Sequence, residues 1–318
     1  NFSFNMKLDK FSFIDFCLLI ATNPRYEAFA LNLKLKKRVV SGLFNVGVIG
    51  IPFNLTYKTS FFGISPRILL LVAEGKHLLS KKLRLSVQPK LFLGGGCAER
   101  SDFLGINTVI SFIQKNLKRS NSFCFIGQEA NHFGGFFLGL NNQSYIKKED
   151  SLILNGASEN EDFYGKNIKN YIFFLGTHGD TLLLKANLII PIKAFIETGS
   201  IFMNVLGFTQ KVEKITNGPV LARENSTVFD SLLLCKSIDS LNSKTVPLLF
   251  VDEKSEKCDF SKVVLRNTLA SSKFLIFRNP FLPKITDFYF SGAFSKFSLN
   301  MAKCSNVYRK SFSNFFIA

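Results

Sequence analysis

Short apolar runs that stop at Gly, Asn or Pro and then give way to segments of helical spacing recur along this chain, and that alternation restricts it to few architectures. Phe16–Ala21 (FCLLIA) has no polar alternation, as expected of a strand covered on both faces, and Thr22–Pro24 reads as the turn after it. Glu27–Val39 follows with Ala28, Leu31, Leu35 and Val39 on one helical face. Val46–Ile51 is the next strand, closed by Pro52, and Pro66–Glu74 is a helix opening on a proline whose missing N–H costs nothing in a first turn. A charged helix or loop over Lys76–Ser86 leads to a strand at Lys90–Leu93, which opens onto Gly94–Gly95–Gly96. Asp102–Lys118 has a helical period, with Leu104, Val109, Phe112, Ile113 and Leu117 apolar.

Beyond a glycine-broken stretch (Gly127, Gly134, Gly135, Gly139) and a polar connector at Asn141–Asp150, three strand candidates follow one another. They are Ser151–Leu154, Tyr171–Leu175 and Asn187–Ile190, continuous runs that suit a sheet covered on both faces. Glu159–Asn170 reads as a loop or short exposed helix, and Pro219–Lys236 contains a further helix. From Ser237 the chain turns Ser- and Lys-rich with shorter apolar pieces. The expected architecture is α/β, with two nucleotide-fold-like lobes of mostly parallel sheet. Residues 1–140 form the first lobe and 141–236 the second, with 237–318 an irregular C-terminal extension packing on the lobes.

Composition narrows the classes. Of 318 residues 47% are hydrophobic and 37 are Phe, far too apolar for a disordered chain despite a net charge of +17. The longest stretches free of Asp, Glu, Lys and Arg, Ser41–Tyr57 and Ala130–Ile146, are broken by Gly, Asn or Pro, so no segment is expected to span a bilayer. The 40 cations are 30 Lys and 10 Arg, and Trp is absent, a bias that fits the codon usage of an AT-rich genome such as that of an organelle or parasite. A nucleic-acid binder would cluster its charge and favour Arg. Here Lys34–Lys36–Lys37–Arg38, Lys81–Lys82–Arg84 and Lys147–Lys148 are small groups between apolar stretches and read as solvated faces. Cys17, Cys97, Cys124, Cys235, Cys258 and Cys304 contain no C-x-x-C, and His77, His132 and His178 stand at no metal-ligand spacing. Reduced, mostly buried thiols are the expectation. The chain opens on Asn1 without an Arg-rich amphipathic presequence and reads as trimmed or processed.

No motif assembles a reaction centre. Gly94–Gly95–Gly96 stands where a phosphate loop would, but Glu99 takes the third glycine's place, so a tight strand-to-helix turn is the reading. Gly75–Lys76 lacks a Walker glycine, having Leu70 there. Thr177–His178–Gly179–Asp180 offers an acid/base pair without a neighbouring nucleophile. Arg25 in Asn23–Pro24–Arg25 is placed to meet an anion, or Glu27. Asp15, Glu99, Asp180 and Glu197 lie near strand ends without pairing into a dyad.

Ordered strings go further. Phe4–Asn5–Met6, then Ala21–Thr22–Asn23–Pro24–Arg25–Tyr26–Glu27–Ala28 with Leu31–Asn32, resemble a strand–turn–helix of the largest iron–sulfur subunit of respiratory complex I. Gly50–Ile51–Pro52–Phe53–Asn54–Leu55–Thr56–Tyr57 is similar to that family's next strand and turn. Leu175–Gly176–Thr177–His178–Gly179–Asp180, Ala186–Asn187–Leu188–Ile189–Ile190–Pro191, and Glu197, Gly199, Asn204, Gly207 and Gln210 continue the likeness. So do Pro219–Val220–Leu221–Ala222–Arg223–Glu224, Thr286–Asp287–Phe288–Tyr289, Ser295 and Met301–Ala302–Lys303–Cys304. Phe208, Asn225 and Leu182–Leu184 depart from the pattern.

The resemblance covers the family's C-terminal portion, a molybdopterin-oxidoreductase-like fold that holds no molybdopterin in complex I. It implies a structural subunit of the peripheral, matrix-side arm of NADH:ubiquinone oxidoreductase at the mitochondrial inner membrane. No catalytic, cofactor-binding or metal-binding residue is expected on this chain. Iron–sulfur clusters and FMN would sit on partner chains, among them an N-terminal iron–sulfur half carried separately, alongside other peripheral-arm subunits. Neither nucleic acid nor a membrane span is expected. A molybdopterin-binding oxidoreductase fragment and a basic nucleic-acid binder are the alternatives.

Overall fold

The computed structural model describes residues 8–42, 44–98, 100–117, 122–127, 130–138, 151–156, 171–179, 181–204, 208–234, 276–282, 285, 287–290, 295 and 297–316. Five strands, β1 (Phe16–Ile20), β2 (Asn45–Ile49), β3 (Ser60–Gly63), β4 (Pro89–Gly94) and β5 (Phe123–Ile126), make a parallel sheet in the order β3-β2-β1-β4-β5. Side chains alternate across a strand, and β1 shows why its run is apolar throughout. Phe16, Leu18 and Ile20 enter one core with Leu91 and Leu93, whereas Cys17 and Leu19 enter the other with Val46, Val48 and Phe92.

Helices cover both faces. α1 (Pro24–Glu27) is a single turn capped by the Asn23 side chain, which accepts from the Arg25 amide. α2 (Phe29–Val40) starts only after Ala28 leaves helical geometry at φ −149°, so the helix expected from Glu27 begins two residues late. Its Leu31 and Leu35 join the second core. α3 (Arg67–Ala73), α4 (Leu78–Leu85) and α6 (Phe103–Asn116) supply Leu69, Val72, Leu79, Leu83, Ile106, Ile110 and Ile113 to the first. The α6 face differs from the expected one. Gly105, Ile106, Ile110 and Ile113 are buried, while Leu104 and Phe112 are more than half exposed. α5 (Gly95–Ala98) and α7 (His132–Phe137) are short. β3 and β5 lie outside the expected strands.

These residues belong to one compact unit, formed within Asn1–Leu140, Met203–Phe208 and Lys257–Phe288. A second lies within Asn141–Phe202, Thr209–Glu256 and Tyr289–Ala318. There β6 (Leu152–Asn155), β7 (Ile172–Gly176) and β8 (Leu188–Pro191) pair in parallel in that order, close to the expected positions. Leu154, Ile172 and Phe174 pack on one face against Leu183 and Ala186. Leu175 packs on the other with Ile192 and Val228, the latter from α8 (Asn225–Leu234). Full cover holds for β7 only, since Leu188 and Ile189 of β8 are about half exposed, at 48% and 50%. β9 (Ser200–Met203) and β10 (Thr209–Val212) form a two-stranded sheet. In the segment expected to be irregular, Leu299–Phe316 is a helix, α9. The reading of Glu159–Asn170 lies outside the described residues.

Candidate functional site

In an open parallel sheet, ligands settle outside the carboxyl ends of the strands, where the strand order reverses. Here that point lies between β1 and β4. The chain leaves β1 through Ala21, held at φ +51°, and leaves β4 at Gly94. A Cβ on Gly94 would stand 2.3 Å from the Ala21 carbonyl oxygen and 2.6 Å from the Thr22 Cβ. The two exits press backbone on backbone, and α5 follows at once, so the triple glycine makes a strand-to-helix turn. Neighbouring polar groups serve the loops. The Thr22 hydroxyl donates to Glu27 Oε2 at 2.5 Å, and an Arg25 guanidinium N–H donates to the Asn54 carbonyl at 3.0 Å. Asp15 lies at the opposite, amino end of β1, where its carboxylate accepts the Val87 and Gln88 amides, so it does not belong with the carboxyl-end candidates. Glu99 and Asp180 lie outside the described residues.

Over the carboxyl ends of β2 and β3 sits a segment from far along the chain. Phe281 is fully buried, its Cβ 3.6 Å from where a Gly50 Cβ would be, and its amide donates to the Ile64 carbonyl at 2.9 Å. Arg100 and Asp102 hold that segment. The guanidinium grips both Asp102 oxygens at 2.8 Å and donates to the Asn279 and Pro280 carbonyls at 3.1 Å, while its cationic carbon lies 5.4 Å from the Phe281 ring centroid. Asp102 also accepts the Phe277 amide at 2.8 Å, and the Ser65 hydroxyl reaches the Arg278 carbonyl at 3.4 Å. Burial pushes the Asp102 carboxyl upward, but the Arg100 fork and the Phe277 amide outweigh it and hold the group below the usual carboxylate range. Neither Arg100, Asp102 nor Phe281 stands out in the sequence as a site residue. Asp102 and Phe277 are 175 positions apart, and no periodicity connects them.

The sequence pattern of the family described as Molybdopterin oxidoreductase matches residues 1–233, from β1 through most of α8. The chain belongs to that family. Among curated relatives, the NADH-ubiquinone oxidoreductase 75 kDa subunit of Reclinomonas americana is 30% identical over 97% of this chain and 47% of its own length. An NADH-quinone oxidoreductase subunit of Rickettsia bellii is 29% identical over 96% of this chain and 46% of its own length. The NADH-ubiquinone oxidoreductase 78 kDa subunit, mitochondrial, of Candida albicans is 27% identical over 97% and 45%. The chain thus spans about half the length of the curated relatives it matches.

Among the described residues of the second unit no reaction centre assembles either. His178, beyond β7, stacks on Phe297 with ring centroids 5.4 Å apart and planes 10° apart, and its Nδ1 is 3.0 Å from the Thr177 hydroxyl. Glu197 accepts the Ala194 amide at 2.9 Å and closes a turn. In the first unit, Phe208 donates its amide to the Asn204 side chain at 3.0 Å, a contact made by the backbone of residue 208 whatever its side chain. A shallow hollow beside α8 is bounded by Lys193, Lys214, Arg223 and Glu224. Its Lys193 pairs with Glu224 at 3.0 Å, and the hydrogen bond from Lys193, aided by its charge and that of Lys214, lowers the carboxyl. Among the described residues no three of His, Cys, Asp and Glu gather as a metal site would need. Burial lifts the Cys97 thiol to about 12 and Cys17 well above its ordinary value, so both stay protonated, poor ligands and poor nucleophiles.

Proposed function

We propose that this chain is a supporting subunit of the peripheral arm of an NADH:ubiquinone oxidoreductase, on the matrix side of the mitochondrial inner membrane. It would pack against an iron–sulfur half carried on another chain and against other peripheral-arm subunits. The observation that carries this reading is colinear similarity over 97% of the chain to a subunit of that complex. One further feature agrees with it. Loops at the carboxyl end of the first sheet are tied to one another rather than open to a substrate. Iron–sulfur clusters and FMN then reside on partners, and this chain supplies no catalytic, cofactor-binding or metal-binding residue. Among the described residues no helix is long and apolar enough to cross a membrane.

Depleting the chain should lower the assembled complex on native gels and NADH-dependent quinone reduction in step. Normal assembly without it would defeat the proposal. Mass identification of co-purifying polypeptides should return a chain bearing the missing cysteine clusters. The family match favours one rival, a molybdopterin-binding oxidoreductase fragment. Molybdenum in stoichiometric amount in purified material would put that reading in first place. Binding of DNA or RNA with a steep salt slope would argue instead for the basic surface as a nucleic-acid interface.

A further inference from the structure

We infer that Ile276–Phe281 is a permanent intramolecular occupant of the ligand end of the first sheet, so that this unit takes no dinucleotide-type cofactor there. A family named for a pterin cofactor raises the question whether the residues present fit such a group, and three observations say they do not. At the switch point the Gly94 cradle is already filled, by the Ala21 carbonyl and Thr22. Beside it the Phe281 ring is fully buried and belongs to the same core as Ile20, Ile49, Leu93 and Cys97. Finally, the segment carrying that ring is fixed along its length. Phe277 is held by Asp102, Arg278 by Ser65, Asn279 and Pro280 by Arg100, and Phe281 by Ile64.

A lid poised to open would show few such ties and an exposed ring. This strap has a core ring and a buried ion pair at its root, with Asp102 only 4% exposed. The inference concerns this unit alone and stands apart from the assembly proposed above.

Hydrogen exchange on the full chain tests it directly. The Phe277 and Phe281 amides should exchange about tenfold or more slowly relative to an open segment, as those of core strands do. Exchange at the rate of an unfolded peptide would overturn the inference. Guanosine diphosphate, as a probe of the nucleotide half of a dinucleotide-type cofactor, should leave the thermal midpoint of the wild-type chain unchanged. A saturable rise would also overturn it. Phe281→Ala should open an apolar, ring-sized void, and benzene should raise the midpoint of that variant but not of the wild type. A folded variant indifferent to benzene would count against a ring seated in the crevice. Should the variant not fold, the wild-type exchange and probe measurements decide.

Discussion

Removing the Asp102 carboxylate would strand the Arg100 guanidinium, whose side chain is 14% exposed, and leave the Phe277 amide without its acceptor. Breaking a buried pair from one side costs about 3 kcal/mol, so Asp102→Ala should lose roughly that much in urea unfolding near neutral pH. Its pH dependence follows from the lowered carboxyl. The stabilisation is fully present above the unfolded-state pKa and is lost as pH falls through the depressed folded-state value. The gap between wild type and Asp102→Ala should therefore close in acid and nowhere else. Thiols give a second prediction at this scale. Cys17, Cys97 and Cys124 are buried and Cys304 is exposed. Alkylation of the native chain, read by peptide mass, should modify Cys304 at once and the other three only on unfolding.

Between elements, Gly94 lies hard against the turn after β1, and Gly94→Ala should cost about 2 kcal/mol or more, because backbone atoms rather than a flexible side chain must give way. A thermal melt without loss of midpoint would contradict that packing. β1, β2, β4, β6, β7 and β8 were legible because apolar runs bounded by turn residues suit buried parallel strands. β3 escaped because its four residues, half exposed at the sheet edge, carry no burial pattern. In β5, four buried residues are too few for a period to show. α6 was legible as a helix but not in its face. Apolar residues surround it, and Gly105, which carries no hydrophobic signal, lies on the buried side. Of the candidate site, the glycine turn and the Thr22–Pro24 turn were readable locally. The Arg100–Asp102 clamp was not, because its meaning depends on residues 276–281.

For the molecule as a whole, the family match ends at residue 233, yet the first unit's core includes Phe281. In Phe281→Ala the first unit should therefore melt about 10 °C below that of the full wild-type chain, from the loss of one buried aromatic ring, as calorimetry would show. Connectivity also sets an order of events during synthesis. The last strand of the first sheet, β5, is complete at Ile126, whereas the ring that closes that sheet comes about 150 residues later, roughly 8–30 s at ordinary elongation rates. Through that interval the nascent first unit carries an apolar opening on the ribosome, so folding helpers have their clearest target there before the last third of the chain arrives to seal it.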